Sequence, residues 1–510
     1  MQITILERPD VPHYQDAKPH IYLIWDNWND YSYRTVFGVR YIKEGGEEID
    51  LDGIRIAHFG QGKGKPKLQP GDTFKKKITH EYFSLGYGEY YDRLSELGDK
   101  IREEILFSLN DIARYPDIYE KAIHEEVTKV SLLRNYTETE VTGQLRRMAN
   151  GGVRLTPYKF SYEFSESTNK PLIRMEFDVE PESNPPTNIH VIIGRNGVGK
   201  TYLLRDMIKS LLHKDIKTYG VFKADETLIN NEILPNLIFI SFSAFDDIGP
   251  EFIHPDIYSG IGYTYIGLKK INYGNNNTIE LKTTEEIKQE FILSLLSCKK
   301  KAKDRIWRNA VTFLISDSYF KEVEITSLIN GDNRKILQDA EQIFNKLSSG
   351  HKIVLLTITR LVETIEEKTL VMIDEPETHL HPPLLSAFAR AISVLLIDRN
   401  GVAIIATHSP VILQEVPRNC VWKLRRSENM PIPERLDIES FGENVGILTQ
   451  DVFGLEVTES GFHQILRKVA GETNSYEEAT RLFANQLGQE ARAILRNLFF
   501  QKSKRDEINN

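Results

Sequence analysis

Four short apolar runs punctuate the chain, at 189–193, 237–242, 370–373 and 402–406. They are rich in Ile, Val and Leu and nearly unbroken by polar residues, the pattern of strands buried on both faces of a parallel sheet. Helical spacing follows the first run at 202–208. It also precedes the third, where Ile353, Leu356, Leu361 and Ile365 recur. Residues 158–164 and 172–177 read as strands, which predicts a hairpin closed off by the turn at 181–186. Upstream, 20–25 and 35–39 read as short strands. Leu94, Leu97, Ile101, Ile105 and Leu109 predict a helix over 90–112. The pattern as a whole is α/β: a mixed sheet, an N-terminal α+β extension, and a partly helical insertion.

The loop after the first run is Gly194-Arg195-Asn196-Gly197-Val198-Gly199-Lys200-Thr201, or G-x-x-x-x-G-K-T. It lies between a predicted strand and a predicted helix, the setting in which this motif cradles phosphates. Backbone N–H groups of Arg195, Asn196, Gly197, Val198 and Gly199 would turn inward as anion donors, helped by the positive end of the next helix. Lys200 would reach the β- and γ-phosphates of ATP, and the Thr201 hydroxyl would ligate Mg²⁺.

Two further motifs follow in order. Leu347-Ser348-Ser349-Gly350-His351-Lys352 opens a helix and offers N–H groups and hydroxyls, a second anion-binding device. The run 370–373 ends in Asp374-Glu375. There Asp374 would hold Mg²⁺ and Glu375 would polarise the hydrolytic water. The run 402–406 ends in Thr407-His408, where His408 would sense the γ-phosphate. The strand at 237–242 also ends beside the phosphate loop, where Ser243, Asp246 or Asp247 could sense Mg²⁺ or the attacking water. A metal site at His379 and His381 is a weaker reading.

Composition sets limits on these readings. A chain of 510 residues exceeds one core, and the motifs divide it into 1–150, 151–249, 250–345, 346–430 and 431–510. The first segment is an accessory domain of short strands and helix. The next carries the phosphate loop, and 250–345 reads as an inserted, partly helical module. The signature, the acidic pair and His408 fall in 346–430, and 431–510 is a helical tail. A net charge of −9 argues against a protein that coats nucleic acid all over, yet leaves room for a local basic groove. The strongest basic stretch is 299–308, with six Lys or Arg and one Trp, which would suit a DNA phosphate contact. Lysine clusters around 60–77 fit either a phosphate contact or a solvated loop. Two cysteines and no apolar leader or membrane-length run point to the cytoplasm and away from a membrane.

Phosphate loop, LSSGHK, LVMIDEPETHLHP and ATHSP, in this order, resemble the ATP-binding-cassette ATPases. The DEPETHLHP and THSP spellings are closest to the SMC-like and OLD-like branch. That resemblance implies an ABC-type P-loop ATPase head that pairs head to tail around two ATP molecules. Ser348, Ser349 and Gly350 of one subunit would then cover the γ-phosphate held by the other. It thereby implies a homodimer or a higher homo-oligomer.

The flanks at 82–91, 243–247 and 487–495 are similar to the PtuA-type ATPase subunit of Septu antiphage systems, also found beside retrons. This narrower likeness implies a separate HNH nuclease partner and, in retron settings, a reverse transcriptase with its msDNA. The residues after His408 hold no paired acidic metal motif of the Toprim kind, which also places nuclease chemistry elsewhere. The alternative is a stand-alone DNA-binding ATPase of repair or recombination. A transporter ATPase is the third reading, and the large soluble flanks count against it.

Overall fold

The protein is described by a computed structural model. It covers residues 1–7, 18–164, 173–181, 183–213, 216–224, 227–229, 234–243, 249–251, 258–272, 278–299, 301–427, 430–454, 461–484 and 486–509. Asp246, Asp247, Lys300 and the Asn-rich tip at 274–277 lie outside the described residues.

The first 150 residues build a sheet of their own. Its strands are β1 (Gln2–Leu6), β2 (His20–Trp25), β3 (Val36–Ile42), β4 (Glu48–His58), β5 (Thr73–Lys75) and β6 (Tyr82–Tyr87), in the order β5-β1-β2-β3-β4-β6. Only β1 and β2 pair in parallel. One core gathers side chains from Ile3 to Ala149. The helix expected over 90–112 is two helices, Tyr90–Glu96 and Asp99–Ser108. Gly98 separates them at φ +81°, a conformation that ends a helix and suits glycine.

Two sheets form the ATPase head. The smaller is antiparallel, with β7 (Tyr158–Phe164), β8 (Ile173–Val179), β10 (Val221–Ala224) and β11 (Thr227–Leu228) in the order β11-β10-β7-β8. The larger uses β9 (Ile189–Gly194), β12 (Asn236–Ser241), β13 (Gly262–Gly267), β16 (Leu370–Asp374), β17 (Val402–Thr407), β18 (Val421–Ser427) and β19 (Met430–Glu434). A small hairpin, β14 (Lys269–Asn272) and β15 (Thr278–Leu281), stands apart. The large sheet runs β13-β12-β16-β17-β9-β18-β19, all parallel except the β19 edge.

Every residue of β9, β12, β16 and β17 is buried, as their apolar runs require. Alternate side chains enter two cores. Ile189, Val191, Ile193, Val371, Ile373 and Ile405 face a helical layer. Ile192, Met372, Ile404 and Ala406 face the phosphate-loop helix, Lys200–Leu212, and the antiparallel sheet. The head is therefore three-layered α/β, the fold of an ABC/AAA-type P-loop ATPase.

Residues 250–345 do not stand apart as an inserted module. β13 joins the central sheet beside β12, and helices Thr284–Cys298, Lys301–Leu314 and Asn333–Lys346 share one core with the signature helix Ser349–Thr364. Their apolar faces have no core of their own to enter. Beyond the head, helices Phe462–Glu472, Tyr476–Leu482 and Gln489–Asn509 close around a small cluster that includes Leu466, Ala479 and Leu495. Among the described residues no helix is long and apolar enough to cross a membrane.

Candidate nucleotide site

Register brings the motifs together. Asp374 pairs with Ala406, and Thr407 pairs with Ile193, so β16, β17 and β9 end side by side at their carboxyl edge. Ligands of open parallel sheets bind at that edge. The loop from Gly194 to Gly199 turns there into the helix that begins at Lys200, with Gly197 at φ +77° and Gly199 at φ +99°.

Lys200 is 4% exposed and folds back over the loop, donating from Nζ to Gly194 O at 3.0 Å and Arg195 O at 3.2 Å. Burial pulls its pKa below the ordinary lysine value, while Glu375, Glu377 and Asp374 pull the other way. Thr201 Oγ1 donates to Asp374 Oδ1 at 3.2 Å, across 173 residues of sequence. Arg195 reaches out of the loop to Phe453 O at 2.7 Å, and Arg426 on β18 donates to Gly197 O at 3.2 Å. Neither arm of the loop's support was visible in the motif. Asn196 and Val198 complete the turn, and Val198 packs into the core beneath it.

Glu375 takes the left-handed conformation at φ +43°, and its N–H bonds Ala406 O at 2.9 Å. This turns its side chain away from the strand axis and ties the end of β16 to β17. His408 Nδ1 lies 2.9 Å from Glu377 Oε1 and 3.8 Å from Glu375 Oε1. The 2.9 Å approach misses hydrogen-bond angles, so the pair is ionic. Glu375 and then Glu377 push the His408 pKa up to about 10, which makes it a cation at neutral pH. The Glu377 side chain is 8% exposed, and its burial alone would raise its pKa. The His408 cation, the Thr407 hydroxyl and the His408 backbone N–H outweigh that and hold it low. Sequence reading passed over Glu377. Its signal was an acid two residues beyond the acidic pair, in a segment otherwise turning away from the sheet.

The signature residues lie elsewhere. Ser348 caps the helix that follows, and its Oγ is 2.6 Å from His351 Nδ1. His351 Nε2 is in turn 3.1 Å from Asp317 Oδ1. Asp317 only accepts, so a neutral imidazole carries its proton on Nε2 and takes the serine proton at Nδ1. Ser349 begins the helix, and Gly350 sits so close to His379 that an added Cβ would meet its carbonyl at 2.4 Å. Among the described residues no hydrogen bond joins Ser348, Ser349 or Gly350 to the phosphate loop. The structure thus brings Lys200, Thr201, Asp374, Glu375 and His408 together, and among the described residues no hydrogen bond joins the signature to the loop.

Mg²⁺ fits what is present. Thr201 and Asp374 offer two hard oxygens, and Mg²⁺ ordinarily takes one or two protein oxygens and completes its shell with phosphates and water. His379 and His381 do not form a metal site. His379 Nε2 meets Phe242 O at 3.3 Å, His381 Nε2 lies 3.6 Å from Asp317, and no group of three metal-ligating side chains exists among the described residues. Ser243 stands partly buried just beyond β12.

The stretch 299–308 differs from expectation. Trp307 is fully buried, with Nε1 on Thr359 Oγ1 at 3.0 Å. Lys299, Lys303, Arg305 and Arg308 donate to Asn333, Glu363 O, Asn150 O and a set around Asp304, Thr326 and Asn330. The stretch is an amphipathic helix of the head core, and these cations are engaged within the chain.

Comparison with known proteins adds to this geometry. Residues 319–414 match the family described as "AAA domain, putative AbiEii toxin, Type IV TA system". Among solved structures, cbiO1 of Clostridium perfringens, part of an ABC transporter complex, aligns at 14% identity over 62% of this chain and 95% of its own, with a TM-score of 0.30. The ADP conformation of another transporter's ATP-binding cassette aligns at 13% over 60% and 100%, also at 0.30. Those scores add nothing to the fold already described. A far stronger match is protein ea59 of Escherichia phage lambda, 38% identical across 99% of both chains. This chain belongs to the family of phage lambda protein ea59.

Proposed function

We propose that the chain binds ATP with Mg²⁺ and hydrolyses it between two heads paired head to tail. The contact that carries this reading is Thr201 Oγ1 on Asp374 Oδ1, which joins the phosphate loop to the acidic pair. Arg195, Asn196, Gly197, Val198, Gly199 and Lys200 surround the phosphates, and Thr201 with Asp374 holds the metal. Bound there, Mg²⁺ neutralises phosphate charge. Glu375 orients a water and accepts its proton at the carboxylate, and cationic His408 faces the γ-phosphate. Ser348, Ser349 and Gly350 supply the donors missing from their own site to the partner's site. The lack of any hydrogen bond between signature and loop among the described residues of one chain supports that division. Lys200→Ala is expected to lose nucleotide binding. Glu375→Gln is expected to bind ATP but turn it over roughly a hundredfold more slowly. Wild-type turnover by Glu375→Gln would remove this reading.

For the biological role, we infer a regulator of a partner HNH nuclease in antiphage defence, rather than a nuclease in its own right. Two things support this: the Septu-like flanks, and a matched family described by the name of a toxin. Phage plating on cells carrying the native gene neighbourhood tests it. Protection lost with Lys200→Ala supports the role, and no protection by wild type against any phage tried counts against it.

A further inference from the structure

Within 299–308, Lys299, Lys303, Arg305 and Arg308 are engaged inside the chain, but a surface of the N-terminal module carries unpaired cations beside exposed aromatic rings. Trp28 is 55% exposed and Tyr31 is 76% exposed, both on the loop between β2 and β3. The two rings share one short loop, and exposed apolar groups that cluster, unlike ones scattered singly, mark interaction sites.

The loop is held rigidly in an unfavourable shape. Tyr31 and Ser32 are consecutive left-handed residues, at φ +49° and +78°. Such strain persists only where the surroundings enforce it. Asp30, fully buried beneath them, does so. It accepts from Trp28 Nε1 at 2.8 Å and Ser131 Oγ at 3.0 Å, pairs with Arg134, and lies 3.5 Å from Arg55. The Arg134 guanidinium sits over both rings, 5.4 Å from Trp28 and 5.9 Å from Tyr31. A second loop is fastened alongside: Gly64 N bonds Ser32 O, and Arg34 N bonds Gly64 O, at 2.8 and 3.0 Å. That loop carries Lys63, Lys65 and Lys67.

Between the loops and the 128–134 segment lies a wide-mouthed cleft of about 610 Å³, lined by Tyr31, Lys63, Lys129 and Arg134 among others. Small-ligand clefts span roughly 300–1,000 Å³. Among the described residues, Arg34, Lys63, Lys67 and Lys129 form no ion pair, and Lys65 lies over the Trp25 ring at 4.8 Å. The lining has one carboxylate, Glu126, which faces the Tyr33 hydroxyl.

We propose that this face binds single-stranded nucleic acid, with bases stacking on Tyr31 and Trp28 and phosphates meeting Lys63, Lys129 and Arg34. Stacking platforms flanked by cations are how single strands are held without sequence preference. A duplex keeps its bases stacked on each other and offers these rings nothing. An acidic peptide would use the lysines but leave the rings unexplained.

Anisotropy of a labelled 15-residue oligo-dT and of oligo-rU, with full-length protein and no nucleotide, tests the idea separately from the ATPase reading. Either strand binding, with affinity falling as salt rises, is the expected result, and the two arms tell DNA from RNA. Tyr31→Ala and Trp28→Ala should each weaken binding about five- to a hundredfold, the loss of one base–aromatic stack. Lys63→Glu with Lys129→Glu, both exposed and unpaired, should weaken it and flatten the salt dependence without altering the thermal midpoint. Equal affinity for a duplex, equal competition by poly-glutamate, or unchanged binding in the Tyr31 and lysine variants would overturn the proposal.

Discussion

Glu377 Oε1 accepts two hydrogen bonds at 2.6 Å, from Thr407 Oγ1 and from the His408 backbone N–H. One carboxylate thus fixes the segment after the acidic pair to the end of β17, and helps Glu375 hold the His408 ring cationic.

The first prediction concerns that charge. The His408 pKa stands at about 10, above its ordinary 6.5. The stabilisation from its ion pairs is therefore complete below about pH 6.5 and lost as pH rises through about 10. If turnover needs the cation, its alkaline limb lies near pH 10. Glu377→Gln removes one of the two carboxylates and should move that limb at least about one unit toward neutrality. A pH–rate profile of both proteins measures it.

The Ser348–His351–Asp317 chain makes a second prediction. His351→Ala and Asp317→Asn should lower turnover by about ten- to a hundredfold through misplaced serine. ATP affinity of a single subunit should stay unchanged, because among the described residues the signature makes no hydrogen bond to its own phosphate loop. Parallel loss of affinity in both variants would place these residues at the nucleotide of their own chain.

Trp307→Ala should cost about 3–5 kcal/mol of stability, as large buried aromatics do. Its ring is fully buried and hydrogen-bonded to Thr359. Urea unfolding reads this directly. A surface Trp serving nucleic acid would cost little.

His190 lies fully buried in β9, edge-on to Phe177 at 5.2 Å, and burial pushes its pKa down to about 3. Its folded pKa lies below the unfolded one, so the stability it permits is present above about pH 6.5. That stability is lost as pH falls toward about 3, because the unfolded chain binds the proton first. His190→Phe should flatten the fall in the unfolding midpoint between pH 7 and pH 5.

Much of the head was legible because its signals are local. The phosphate loop, the acidic pair and the strand ending at His408 each declare themselves within ten residues, and sheet register then aligns them. Glu377, Arg426 and Asp317 were not legible, since their roles arise from contacts across 31, 229 and 34 residues. In the basic stretch, charge density on paper does not show which cations find partners within the chain. Arg305, for example, bonds the carbonyl of Asn150. The aromatic loop at Trp28 and Tyr31 escaped notice for the opposite reason. Its exposure depends on the buried Asp30, which sequence alone does not distinguish from a surface acid.

In the proposed dimer each ATP site takes its phosphate loop from one chain and its signature from another. Lys200→Ala and Ser348→Arg would each be inactive alone. Mixed in equal amounts, they form heads in which one loop and one signature are both intact. Turnover should then recover to roughly a quarter of wild type, with half the dimers mixed and one site of two restored. No recovery on mixing, or full activity of Ser348→Arg alone, would contradict the shared site.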